Sequence, residues 1–143
     1  MKKIIIAIIY AMMLMPIMAD AQIQVKKQPQ IETIKSIRMG YVTLTKSQDR
    51  YCLCLTSDNQ FDKAYIIMLG KGKEAAIQSL KALIEVSETI TKDDSFEFND
   101  GVRDYNIYRG TFKSEVWFKG AGHAGYGKTS TAELNSLLKA LTK

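Results

Sequence analysis

Gly120-Ala121-Gly122-His123-Ala124-Gly125-Tyr126-Gly127-Lys128-Thr129-Ser130 holds four of the chain's nine glycines and its one histidine. Read literally, Gly122 with Gly127-Lys128-Thr129 satisfies G-x-x-x-x-G-K-[ST], a phosphate-binding loop between a strand and a helix. That reading would make the chain a nucleotide-binding protein with a parallel sheet. The flanking sequence points elsewhere. Only 14 residues follow Thr129, too few for further parallel strands. No upstream strand-like run ends in an aspartate suited to hold Mg²⁺; the run at 65–69 ends in Gly70. Ser130 and Glu133 form an S-x-x-E capping box. A helix capped there starts after Lys128 and Thr129, whereas a phosphate loop needs both in the first helical turn.

Outward from this stretch, the patterns alternate between periods of two and 3.6. Downstream, Leu134, Leu137, Leu138 and Leu141 form a helical stripe over 131–142. Upstream, residues 112–118 place Phe112, Ser114, Val116 and Phe118 on one strand face, with Glu115 and Trp117 on the other. Asp100-Gly101 is a hairpin signal between strands at 95–99 and 102–109. A second helix is predicted over 73–90, with Ala76, Ile77, Leu80, Leu83, Ile84 and Ser87 on one stripe. Before it, strands are read at 31–39, 41–46, 50–56 and 61–69, joined by the short polar turns Ser47-Gln48-Asp49 and Ser57-Asp58-Asn59-Gln60.

Short polar loops between strand patterns imply antiparallel hairpins. The predicted fold class is therefore α+β: a two-layer domain over 31–143, with one antiparallel sheet of about six or seven strands and two helices on one face. The halves share a faint echo. Gly70-Lys71 precedes Leu80-Lys81-Ala82-Leu83, and Gly127-Lys128 precedes Leu138-Lys139-Ala140-Leu141. This suggests a duplicated βββα unit.

Residues 1–21 read as a secretory signal peptide. Met1-Lys2-Lys3 is followed by an apolar run and then by Ala19-Asp20-Ala21, an A-x-A cleavage site. Residues 22–30 read as a flexible lead-in. The expectation is an exported protein, periplasmic or extracellular, with no membrane span after cleavage. The net charge of +5 is mild and spread along the chain. No basic run or aromatic–basic motif supports nucleic-acid binding.

Cys52 and Cys54 are the two cysteines. At i and i+2 on a strand their side chains run parallel, ~6.6 Å apart, and do not converge on a disulfide. They read as small apolar residues buried on one strand face. A zinc site with His123 would lack a fourth ligand, so no metal and no cofactor is expected. No catalytic set stands out, because Glu97, Asp104 and Glu115 are scattered along strands and Asp93-Asp94 reads as a solvated turn.

The function expected is a small non-catalytic binding or interaction module for a peptide, a glycan or another envelope protein. Its surface would combine Trp117 and Tyr105 or Tyr108 with Gly122, His123, Tyr126, Gly127 and Lys128 of the glycine-rich loop. The alternative is a small envelope hydrolase, or an anion-binding protein, using that loop with His123 and Lys128. Pairing of sheet edges into a homodimer is a third reading.

Overall fold

A computed structural model describes residues 27–143. The signal-peptide reading of 1–21, and the lead-in as far as residue 26, lie outside the described residues. The described residues form eight strands and two α-helices: β1 (Ile31–Ile37), β2 (Val42–Ser47), β3 (Arg50–Leu55), β4 (Tyr65–Lys71), α1 (Lys73–Thr89), β5 (Ser95–Asn99), β6 (Asp104–Arg109), β7 (Glu115–Gly120), β8 (Gly127–Ser130) and α2 (Thr131–Thr142). It is an α+β fold, as the patterns predict. The strands make two antiparallel sheets of four, β1-β2-β3-β4 and β5-β6-β7-β8, rather than one sheet of six or seven. Each half is a four-strand meander followed by a helix, so the repeating unit is ββββα rather than βββα.

Two physical reasons account for the difference. First, β4 and β5 do not pair, because side chains of the second half cap the free edge of β4. The Tyr105 hydroxyl donates to the Ile66 carbonyl at 3.1 Å, and the Met68 amide donates to Asp100 Oδ2 at 2.9 Å. Capping an edge in this way replaces a ladder that would otherwise recruit another strand. Secondly, β8 carries no apolar side chain to announce it. Its inward positions are Gly127 and Thr129, both buried.

Alternation buries one face of each strand. Val42, Leu44, Tyr51, Leu53, Leu55, Tyr65, Ile67 and Leu69 come from the first sheet, and Tyr105, Ile107, Val116 and Phe118 from the second. They join the α1 stripe and Leu134, Leu137 and Leu141 of α2 in one hydrophobic cluster. The helices pack against each other, α1 on β4 and α2 on β1 and β8. Buried Ser87 of α1 shares a 2.8 Å hydrogen bond with Thr131 at the start of α2. An isolated β-bridge also links the sheets, between Ser57 after β3 and Gly127 of β8. That bridge brings the loop after β3 against the glycine-rich stretch. Among the described residues, no helix is long and apolar enough to cross a membrane.

The capping box forms as predicted. Ser130 Oγ accepts from the Glu133 amide at 3.3 Å, and Glu133 Oε2 accepts from the Ser130 amide at 2.9 Å. The Asp100-Gly101 turn is wider than a two-residue hairpin. It spans Asp100 to Arg103, with Asp100 Oδ1 accepting from the amides of Val102 and Arg103. Phe112 lies in a loop rather than on β7 and is exposed.

Candidate functional site

The glycine-rich stretch is held from below by two carboxylates. Asp58 and Asp62 lie in the loop between β3 and β4, more than sixty residues earlier. The Ala124 and Gly125 amides donate to Asp62 Oδ1 at 3.1 Å and Oδ2 at 2.6 Å. The Tyr126 amide donates to Asp58 Oδ1 at 2.7 Å, and the Asp58 amide returns a bond to the Tyr126 carbonyl at 2.9 Å. The His123 amide donates to the Gly120 carbonyl at 3.3 Å. Four consecutive amides, 123–126, are thus engaged by the protein itself. The donors that cradle phosphate in a nucleotide loop here hold the chain's own carboxylates at 124–126 and a backbone carbonyl at His123. Lys128 and Thr129 lie on β8, before the first turn of α2. The Thr129 side chain is buried and donates to Glu133 at 3.1 Å.

The clamp is electrostatic. The Asp62 carboxyl is held below the usual carboxylate range, chiefly by the Gly125 amide and then by that of Ala124. Asp58 is lowered first by the hydrogen bond from Lys128 and then by the Tyr126 amide. Carboxylates lowered on folding add stability above their unfolded pKa, near ~3.9, and lose it as pH falls through the folded value. The clamp is therefore complete at neutral pH and opens only in acid. Protection of the Ala124, Gly125 and Tyr126 amides against hydrogen exchange is expected to fall as pH drops below about 4, while that of Ile107 and Phe118 persists. Equal loss at all five amides would show that the loop has no acid-sensitive latch of its own.

The candidate residues divide into two groups. His123 turns inward. Its ring stacks on Tyr65, with centroids 3.9 Å apart and planes at 19°. Its Nδ1 is buried without a hydrogen-bond partner, 4.0 Å from Asp62 Oδ2. Ser57 Oγ also donates to Asp62 Oδ2, at 2.8 Å. The carboxylate thus sits between hydroxyl and imidazole. Activation of a serine needs the imidazole in the middle, so this trio does not make a nucleophile–base pair. Gly127 is buried against Tyr65, and Gly122 lies exposed at φ +82°.

Trp117, Tyr126 and Lys128 form the second group, on the outward face of the second sheet. The Trp117 and Tyr126 ring centroids lie 5.3 Å apart, and Tyr108 meets Tyr126 edge-on at 6.3 Å. Lys128 Nζ sits 4.3 Å from the Trp117 ring centre and 2.9 Å from Asp58 Oδ2. Lys119 Nζ sits 4.9 Å from the Tyr126 ring centre and donates to the Ala124 carbonyl at 2.6 Å. Cation–π contacts of this kind contribute ~0.5–1 kcal/mol each at exposed sites. Trp117 Nε1 is buried without a hydrogen-bond partner. Trp117 is on a central strand, paired to Tyr108 on one side and Lys128 on the other. Tyr105 does not belong to this face: it is buried, because it shares the inward parity of Ile107. Lys119 follows Trp117 by two and so shares its face, a relation that the alternation in Glu115-Val116-Trp117-Phe118-Lys119 already contained.

Cys52 and Cys54 are free and half-exposed rather than buried. Tyr51, Leu53 and Leu55 take the inward positions of β3, so the thiols face outward. His123 packs on Tyr65, which points inward from β4, so the imidazole and the thiols belong to opposite faces of the first sheet. Among the described residues, no group of three His, Cys, Asp or Glu is placed to hold a metal ion. Comparison with known proteins finds no matching family model, no matching curated protein and no matching solved structure.

Proposed function

We propose that the protein is a small exported, non-catalytic binding module whose recognition surface is the outward face of the second sheet. One observation carries this reading. Tyr108, Trp117 and Tyr126 form a contiguous, half-exposed aromatic patch interleaved with Lys119 and Lys128. Aromatic and cationic side chains on a rigid scaffold are the groups that dominate recognition energetics. The scaffold is rigid here because β7 is a central strand and the carboxylate clamp fixes Tyr126 beside it. The partner classes that suit such a face are a peptide, a glycan or another envelope protein.

Glycan and peptide arrays probed with the purified protein test the reading. Trp117→Ala is expected to weaken any genuine hit by at least tenfold, the cost of about 1.4 kcal/mol that marks a residue carrying binding energy. Lys128→Ala is expected to weaken it less and to reduce its sensitivity to salt. Hits that bind Trp117→Ala as tightly as the unaltered chain would locate recognition elsewhere.

A further inference from the structure

The outward face of the first sheet carries three sulfur atoms on adjoining positions. Cys52 and Cys54 are neighbours along β3, and Met68 of β4 is the cross-strand partner of Cys52. A register shift between Tyr51 and Cys52 sets this pairing: Tyr51 faces Gly70, Cys52 faces Met68, and Leu69 is the extra residue. Bulges of this kind re-aim side chains beside functional sites. Leu69 is buried whereas Met68 is half-exposed, so the shift leaves Met68 on the face of the thiols. Thr43 and Thr45 are the cross-strand partners of Cys54 and Cys52 on the other side, and Thr45 Oγ1 lies 3.6 Å from Cys54 Sγ. Arg50, two residues before Cys52 on β3, and Asp100 are the charged groups that reach Cys52.

We infer that Cys52, Cys54 and Met68 form a three-sulfur site for a soft monovalent metal ion, Cu(I). Spacing is the first argument. Directly paired strand residues have Cα atoms ~4.5–5.5 Å apart, and i, i+2 neighbours ~6.6 Å. A disulfide needs its sulfurs ~2 Å apart, which this geometry does not reach without backbone movement. An ion at ~2.3 Å from each sulfur needs them roughly 4 Å apart, which rotation of the two Cys side chains toward each other about χ1 supplies without backbone movement. The flexible thioether of Met68 closes the third position. Donor chemistry is the second argument. Thiolate and thioether ligands select Cu(I) over harder divalent ions. Asp100, whose charge reaches Cys52, is already committed to the amides of Met68, Val102 and Arg103.

On binding, each Cys S–H bond breaks as an S–Cu bond forms. Two protons leave to solvent, the thioether donates a lone pair, and copper stays in the +1 state throughout.

The test is anaerobic titration of the reduced protein with Cu(I) in competition with bicinchoninate. One Cu(I) per chain is expected. Cys52→Ser and Cys54→Ser are each expected to lose at least about 100-fold in affinity, and Met68→Leu about tenfold, the scale on which ligand-shell losses act. All three side chains are half-exposed on an outward face, so their circular dichroism should match that of the unaltered chain. X-ray absorption of the copper-loaded unaltered protein should show sulfur scatterers only, a readout that needs no variant. The proposal is overturned by failure to retain Cu(I) against bicinchoninate, by one ion shared between two chains, by full affinity in Met68→Leu, or by nitrogen or oxygen scatterers.

Discussion

Tyr65→Ala is expected to destabilise the protein by about 3–5 kcal/mol, the range for truncating a buried aromatic side chain. Tyr65 is fully buried at the start of β4 and is the point where both sheets and the glycine-rich loop meet. Its ring stacks on His123, and its hydroxyl donates to the Gly125 carbonyl at 2.7 Å. The same carbonyl also accepts from Lys119 Nζ at 3.3 Å. Tyr65→Phe therefore leaves that carbonyl one donor and should cost only about 1 kcal/mol. Chemical denaturation of the two variants separates packing from hydrogen bonding. Equal losses would mean that the hydroxyl, not the ring, anchors the loop.

Gly127→Ala is expected to cost about 1–3 kcal/mol through overpacking. A Cβ at that position would stand 2.9 Å from Tyr65 Cδ2 and 3.1 Å from Leu55 Cβ. The Tyr65 atom belongs to a rigid ring in the core, so it cannot swing aside. This glycine matters because the core comes up against β8, a role unrelated to approach of a phosphate. A double-mutant cycle sharpens the point. In the Tyr65→Ala background the Gly127→Ala penalty should fall, since the nearest atom is gone and only Leu55 Cβ stays close. Full additivity would contradict the packing account. Gly125 is equally confined on another side, where a Cβ would meet Ser57 Oγ at 2.6 Å and Asn59 Cβ at 2.7 Å.

The parts of the fold legible in the sequence were those with a strong local signal. Both helical stripes and the Ser130–Glu133 box are legible because their partners lie within a few residues of one another. The eighth strand was hidden because Gly127-Lys128-Thr129-Ser130 has neither apolar nor β-branched alternation. Its strand character comes from pairing with β7, a tertiary effect. The split into two sheets depends on Asp100 and Tyr105 capping the edge of β4, and no local pattern announces a cap. At the site, the spacing of Trp117, Tyr126 and Lys128 did not show that they share a face, and His123, close to them in sequence, turns inward instead. Asp58 and Asp62 read as ordinary turn residues, since the amides they hold lie more than sixty residues away. Cys52 and Cys54 face outward because Leu53 and Leu55, of the opposite parity, lie inside. Both parities of β3 are apolar, so the alternation alone did not choose between them.

Chemical-shift mapping on ¹⁵N-labelled protein, titrated with an array hit, tests the proposed recognition surface most directly. The account predicts perturbations concentrated at Tyr108, Trp117, Lys119, Tyr126 and Lys128, with the indole N–H of Trp117 among the largest. Perturbations gathered on the outward face of the first sheet, with the Trp117 indole unmoved, would contradict it.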